Sequence, residues 1–177
     1  MYLLLALFLS FSSCASTEVY KRKEWHSRWI DEDKDCQNTR AEVLIERSLV
    51  PVTFTNKKKC TVKSGKWNDY YFPTVLTQAK DIDIDHLVPL YEAHKSGGAQ
   101  WPKDKKVKFA NDPENLVITH KVTNRKKGAN TLKTWLPLHY EYACRYYHQW
   151  MYIKKKYDLK ISSDEVNSLD ISKCPAK

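Results

Sequence analysis

The run Asp81-Ile82-Asp83-Ile84-Asp85-His86-Leu87-Val88-Pro89-Leu90 constrains this chain more than any other segment. Isoleucines alternate with carboxylates up to Asp85, the period-two pattern of a half-buried strand, and the alternation sets Asp83 and Asp85 on one face. The run ends with a carboxylate beside an imidazole, a hard oxygen ligand next to the side chain that titrates closest to neutrality. Downstream stand Asn115 and then Asn124-Arg125-Lys126-Lys127-Gly128. An amide oxygen from that stretch can complete the shell of a cation. Together these are the parts of a split, metal-dependent phosphodiesterase site.

A chain of 177 residues suits one domain with a real hydrophobic core and leaves no room for a second full one. The formal net charge is +9, and the basic residues cluster at 57–59, 103–108, 125–127 and 154–156. A single lysine run is ordinarily a solvated face. Four of them beside a candidate phosphodiesterase site point to a polyanion, namely nucleic acid.

Residues 1–11 are almost wholly apolar and are followed by Ser12-Ser13-Cys14-Ala15-Ser16. The apolar run is too short for a permanent membrane span, which needs about 20 residues, so residues 1–15 read as an export signal. The signal lacks a Lys or Arg ahead of the apolar run. Cys14 sits where a bacterial lipoprotein would be acylated, giving membrane anchoring; cleavage after Ala15, between small residues, is the alternative. Export places the mature chain in the bacterial periplasm, the outer envelope or the extracellular space. Without Cys14 the cysteines are Cys36, Cys60, Cys144 and Cys174, an even set that fits two disulfides in an oxidising compartment. Three pairings are open. The sequential one, Cys36–Cys60 and Cys144–Cys174, closes loops of moderate length and is expected to contribute about 2 to 4 kcal/mol per bridge.

Residues 17–37 read as an irregular arm holding Trp25 and Trp29, closing on the core. Thr39 and Glu42 form a capping-box pattern ahead of a short helix over 41–47. Segments 49–55 and 60–66 alternate as strands, and 67–77, with Trp67, Tyr70, Tyr71 and Phe72, reads as a packed aromatic loop rather than a base-stacking surface. The pattern then predicts a strand over 81–87, a helix over 91–96 stopped at Gly97-Gly98, and a lysine-rich helix over 102–110. A returning strand over 115–119 and a helix over 120–127 follow. A long aromatic helix over 138–157 and a short one capped by Ser162 and Glu165 complete the order. The fold class is α+β: one domain over 16–177, with a ββα-metal core at about 81–128, flanking helices and two disulfides.

Asp85-His86, Asn115 and Asn124, the last two nine positions apart, resemble the HNH motif of the His-Me finger nucleases. A broader resemblance over roughly 25–174 is to secreted proteins similar to the C-terminal domain of GmrSD restriction endonucleases. It is carried by Asp35-Cys36-Gln37-Asn38-Thr39-Arg40-Ala41-Glu42-Val43-Leu44, Cys60-Thr61-Val62-Lys63-Ser64-Gly65-Lys66-Trp67 and Asp83-Ile84-Asp85-His86-Leu87-Val88-Pro89-Leu90. Phe109-Ala110-Asn111-Asp112-Pro113, Asn124-Arg125-Lys126-Lys127-Gly128 and Trp135-Leu136-Pro137 extend it.

The resemblance implies an HNH endonuclease. In it His86 is the general base, and Asp85 and Asn124 bind one divalent ion, Mg²⁺ or another hard cation such as Mn²⁺. Asn115 fixes the loop around the base by backbone hydrogen bonds. Asp83, on the face of Asp85, tunes the site or orients a ligand. Arg125, Lys126 and Lys127 are candidate phosphate contacts, although a basic helix end complementing the dipole accounts for them equally well. His120 misses the motif spacing and reads as a surface or phosphate-contacting residue; His26, His94, His139 and His148 read as structural or exposed. No recognition domain is evident, so DNA, with RNA as the alternative, is expected to be bound through its backbone with little sequence preference. No protein partner is implied. Two other readings keep the same scaffold: a non-catalytic DNA-binding surface lipoprotein, and an envelope protein in which Asp85, His86 and Asn124 hold a structural ion.

Overall fold

A computed structural model of the chain describes residues 18–175; the signal segment expected over 1–15, Cys14 included, lies outside the described residues. Helix α1 (Arg22–Trp25) interrupts the arm, and α2 (Thr39–Glu46) follows it. Asn38, not Thr39, caps α2: its side-chain oxygen accepts from the Ala41 amide at 3.1 Å. Thr39 is spent elsewhere, its hydroxyl turned to the Ile30 carbonyl and the Asn111 amide oxygen at 3.1 and 3.0 Å. The capping pattern was therefore one residue out, because a buried hydroxyl found tertiary partners instead of the helix end.

Strands β1 (Thr53–Phe54), β2 (Val62–Asn68) and β3 (Val75–Gln78) form an antiparallel sheet in that order. The strand expected over 49–55 shrinks to two residues, since Pro51 offers no amide to a ladder. The end of the predicted aromatic loop is strand β3. Trp67, fully buried on β2, donates its indole N–H to the Leu44 carbonyl at 2.7 Å and so binds α2 to this sheet.

Strands β4 (Ile82–His86) and β5 (Leu116–His120) make a second, two-stranded antiparallel sheet, with Asp85 opposite Val117 and His86 opposite Leu116. Between them in sequence lie α3 (Leu90–Lys95) and α4 (Lys103–Asn111); after them comes α5 (Lys121–Lys127), which packs on both strands. Ile82, Ile84, Leu116 and Ile118 bury one face of this hairpin against α2 and the first sheet. A second core gathers Trp25, Leu87, Val88, Phe109 and Val117 around α6 (Tyr140–Lys156), which contributes Tyr146, Trp150 and Ile153. The last helix, α7 (Ser163–Val166), carries the capping box expected from Ser162 and Glu165.

The fold is mixed α+β and holds both disulfides. Cys36 is joined to Cys60 and Cys144 to Cys174, with Cα separations of 5.1 and 5.7 Å. The sequential pairing is the one adopted. No described helix is long and apolar enough to cross a membrane.

Candidate active site

Strand β4 ends at His86, and the turn of residues 113–115 that leads into β5 brings Asn115 against the segment leaving β4. The Asn115 carbonyl accepts from Leu87 N at 2.8 Å; its side-chain oxygen accepts from Val88 N at 2.8 Å and its amide donates to Val88 O at 3.2 Å. Asn115 is fully buried, so these three bonds clamp the backbone just beyond His86.

Helix α5 starts at His120, whose Nδ1 accepts from Val122 N, and stops at Gly128 in the left-handed region (φ 52°), where a side chain would be strained. Asn124 and Lys127, three residues apart, share one helix face. Asn124 donates its amide to Asp83 Oδ2 at 3.0 Å, which turns its carbonyl oxygen away from Asp83. Lys127 is fully buried; its ammonium lies 2.8 Å from Asp85 Oδ2 and donates to the His86 carbonyl at 2.9 Å. The expectation that Lys127 touches phosphate is thereby corrected: its charge is consumed inside the protein. Arg125 and Lys126 are exposed.

Asp85 and His86 are 6 % and 7 % exposed. The Tyr71 hydroxyl also donates to Asp85 Oδ2, at 2.6 Å, so both anchors fall on one oxygen and Oδ1 takes no hydrogen bond among the described residues. Burial pushes the Asp85 carboxyl up against the opposing pull of Lys127 and Tyr71. His86 Nε2 lies 2.8 Å from the Ala110 carbonyl. A carbonyl only accepts, so Nε2 carries the proton of the neutral ring and Nδ1 keeps the lone pair. Burial, outweighing that carbonyl, holds the His86 pKa down at about 3, so the ring is a neutral base over the whole working range.

Asp85, His86, Asn124 and Arg125 line one cleft of about 530 Å³, together with Tyr20 and Arg22 from the arm. Lys126 does not line it. Three of its neighbours escaped the sequence reading. Tyr71 was read as packing, yet its hydroxyl orients Asp85; Trp29 lies nearly parallel to the His86 ring (19°, centroids 5.6 Å apart), and His26 meets that ring edge-on at 5.5 Å. No local spacing reveals such contacts, which span 14 to 60 residues of sequence. His94 is structural, with Nε2 against the Glu18 carbonyl at 2.8 Å. A larger groove, about 1160 Å³, runs between α2 and α4 but holds none of these groups. Asp31, Asp33 and Asp35 bring carboxylate oxygens within 4.8 Å of one another on the turn before α2. None of the three lines the cleft.

Residues 38–169 match the family model of the C-terminal domain of GmrSD restriction endonucleases. The chain belongs to this family. A secreted protein of Arthroderma benhamiae is 37 % identical over 144 residues, which cover 80 % of this chain and 68 % of that protein. No solved structure matches. Membership of the GmrSD C-terminal domain family, a domain of restriction endonucleases, points to a nuclease-related function and implies DNA as the substrate. A secreted relative and two disulfides fit export.

Proposed function

We propose that the chain is an exported, metal-dependent endonuclease of HNH type that hydrolyses DNA phosphodiester bonds with little sequence preference, its centre a ββα-metal unit of β4, β5 and α5. The observation that carries this reading is the convergence of Asp85, His86, Asn124 and Arg125 on one cleft, with His86 fixed as a neutral base. The donor set fits a hard cation. Asp85 Oδ1 and the side-chain Oδ1 of Asn124 take no hydrogen bond among the described residues, and two oxygens with water and phosphate suit Mg²⁺ or Mn²⁺. When bound, the ion would neutralise charge gathering on the phosphate and on the leaving 3′ oxygen.

The chain's own residues do the rest. His86 Nδ1 takes a proton from the attacking water as its oxygen bonds to phosphorus and the P–O3′ bond breaks. The Ala110 carbonyl, already accepting from Nε2–H, steadies the positive charge that the ring then gains. Asn115 keeps the base in place through the backbone after it, and Asp83 keeps Asn124 turned. Arg125 meets phosphate oxygens from α5, with exposed Lys126 as an outer contact. The test is plasmid nicking by the mature protein across Mg²⁺, Mn²⁺, Ca²⁺ and Zn²⁺. Cleavage that EDTA stops is expected; a protein inert in every metal ends the proposal.

One observation favours a second reading. The Lys127 ammonium already neutralises Asp85. If it stands in for the cation, the scaffold binds DNA without cutting it, and polynucleotide is retained uncut with metal present. Lipid attachment at Cys14 would make that form a surface lipoprotein, and mass spectrometry of the mature N-terminus decides it.

A further inference from the structure

The family match begins at residue 38, yet Tyr20 and Arg22, from the segment before it, form part of the cleft wall. We infer that this arm, residues 18–30, is a working part of the site, with Arg22 binding a backbone phosphate opposite Arg125. The inference rests on the nuclease reading above and names the second half of its phosphate clamp.

The arm is built to hold a position. Trp25 is fully buried against Trp101 and Phe109, with ring centroids 5.6 and 5.8 Å away. Gly98 makes room for it: a Cβ there would stand 2.6 Å from the Trp25 ring and 2.7 Å from the Ala93 carbonyl. Lys106, almost fully buried, draws in Glu24 and Glu18 at 3.4 and 3.9 Å. At the far end the Ile30 amide donates to Asn111 Oδ1 at 3.3 Å and its carbonyl accepts from the Thr39 amide at 2.7 Å. Anchored on both sides, the arm lays Trp29 on the face of His86 and puts Arg22 on the cleft wall.

Arg22 is exposed, and no described carboxylate forms an ion pair with it, in contrast with Lys21, which pairs with Glu24 at 3.7 Å. A guanidinium with no carboxylate partner among the described residues, on the wall of the cleft that His86 lines, is suited to an anion, and its planar fork matches two phosphate oxygens. Arg125 lines the same cleft from α5, so a strand lying in it would be gripped from both the arm and the helix.

Two measurements on Arg22→Ala, with Lys23→Ala as the neighbouring exposed control, test this. The first is binding of a fluorescent DNA duplex in EDTA at several salt concentrations, which does not depend on cleavage. Loss of one phosphate contact should lower the slope of log Kd against log salt by about 1. The second is cleavage with Mg²⁺ or Mn²⁺, where Arg22→Ala should raise KM by about tenfold or more. Arg22→Lys should restore the slope and only part of the KM, since it returns the charge without the fork. Arg22→Ala that folds with an unchanged Tm yet keeps the wild-type slope overturns the inference, as does an equal loss in Lys23→Ala. A wild type that binds DNA with the Arg22-dependent slope but cuts in no metal upholds the clamp and defeats the nuclease reading instead.

Discussion

Two of the described lysines are fully buried, and their surroundings differ in kind. Lys154, on α6, is ion-paired with Glu92 at 2.8 Å and Glu165 at 2.6 Å. Those partners are themselves satisfied: Glu92 accepts from Ser96, and Glu165 accepts from Trp150 Nε1 at 2.7 Å and the Ser162 amide at 2.7 Å. Lys127, on α5, holds a single carboxylate and a backbone carbonyl. Around it Asp85 Oδ1 and His86 Nδ1 take no hydrogen bond among the described residues, and both residues line a cleft. A network that closes on itself locks helices together, whereas one that stops short leaves polar capacity for a ligand.

The largest expected effect falls on the closed network. Lys154→Ala strands two buried carboxylates and should cost about 3 to 5 kcal/mol of stability in urea unfolding. A loss below about 1 kcal/mol would mean the knot is not structural. Lys127→Met should cost somewhat less, about 2 to 3 kcal/mol, because Asp85 lines the cleft and can be compensated there. Adding Mn²⁺ should raise the Tm of this variant more than that of the wild type. An equal or smaller rise would put the cation somewhere other than Asp85.

Acid should sharpen the contrast. His86 titrates at about 3 when folded and near 6.5 when unfolded, so between these values the unfolded chain binds the extra proton. Stability should therefore be full above about pH 6.5 and fall by a few kcal/mol on acidification toward 3. His86→Gln should flatten that limb, and a profile identical to wild type would show that His86 is not the buried neutral base. The smallest effect concerns Asp83. Asp83→Ala releases the Asn124 amide and should lower kcat/KM about ten- to a hundredfold while leaving Tm nearly unchanged. No change in kcat/KM would make their hydrogen bond incidental.

Much of this arrangement was legible in the chain. The alternation through Ile82 and Ile84 marks β4, and the Gly97-Gly98 stop and the Ser162–Glu165 cap mark helix ends, because each is a local rule that tertiary packing did not override. Four cysteines left three pairings open, and the preference for loops of moderate length picked the one adopted. What escaped was set by distance in sequence. Nothing near Lys127 says that an amine in a basic tripeptide points inward, since its partners Asp85 and His86 lie more than forty residues back. Tyr71 in an aromatic stretch, and Trp29 in a polar arm, look like packing until the fold brings them to Asp85 and His86. Val75–Gln78 was lost inside the aromatic loop because it offers only four residues of strand.

Single-turnover cleavage of plasmid by wild type and His86→Ala, in the best divalent metal and with both proteins shown to be folded, tests the central claim most directly. Loss of the base should slow cleavage by about 10² to 10⁴ while DNA binding persists. A His86→Ala protein that cuts at the wild-type rate would contradict the assignment of this cleft as the hydrolytic centre.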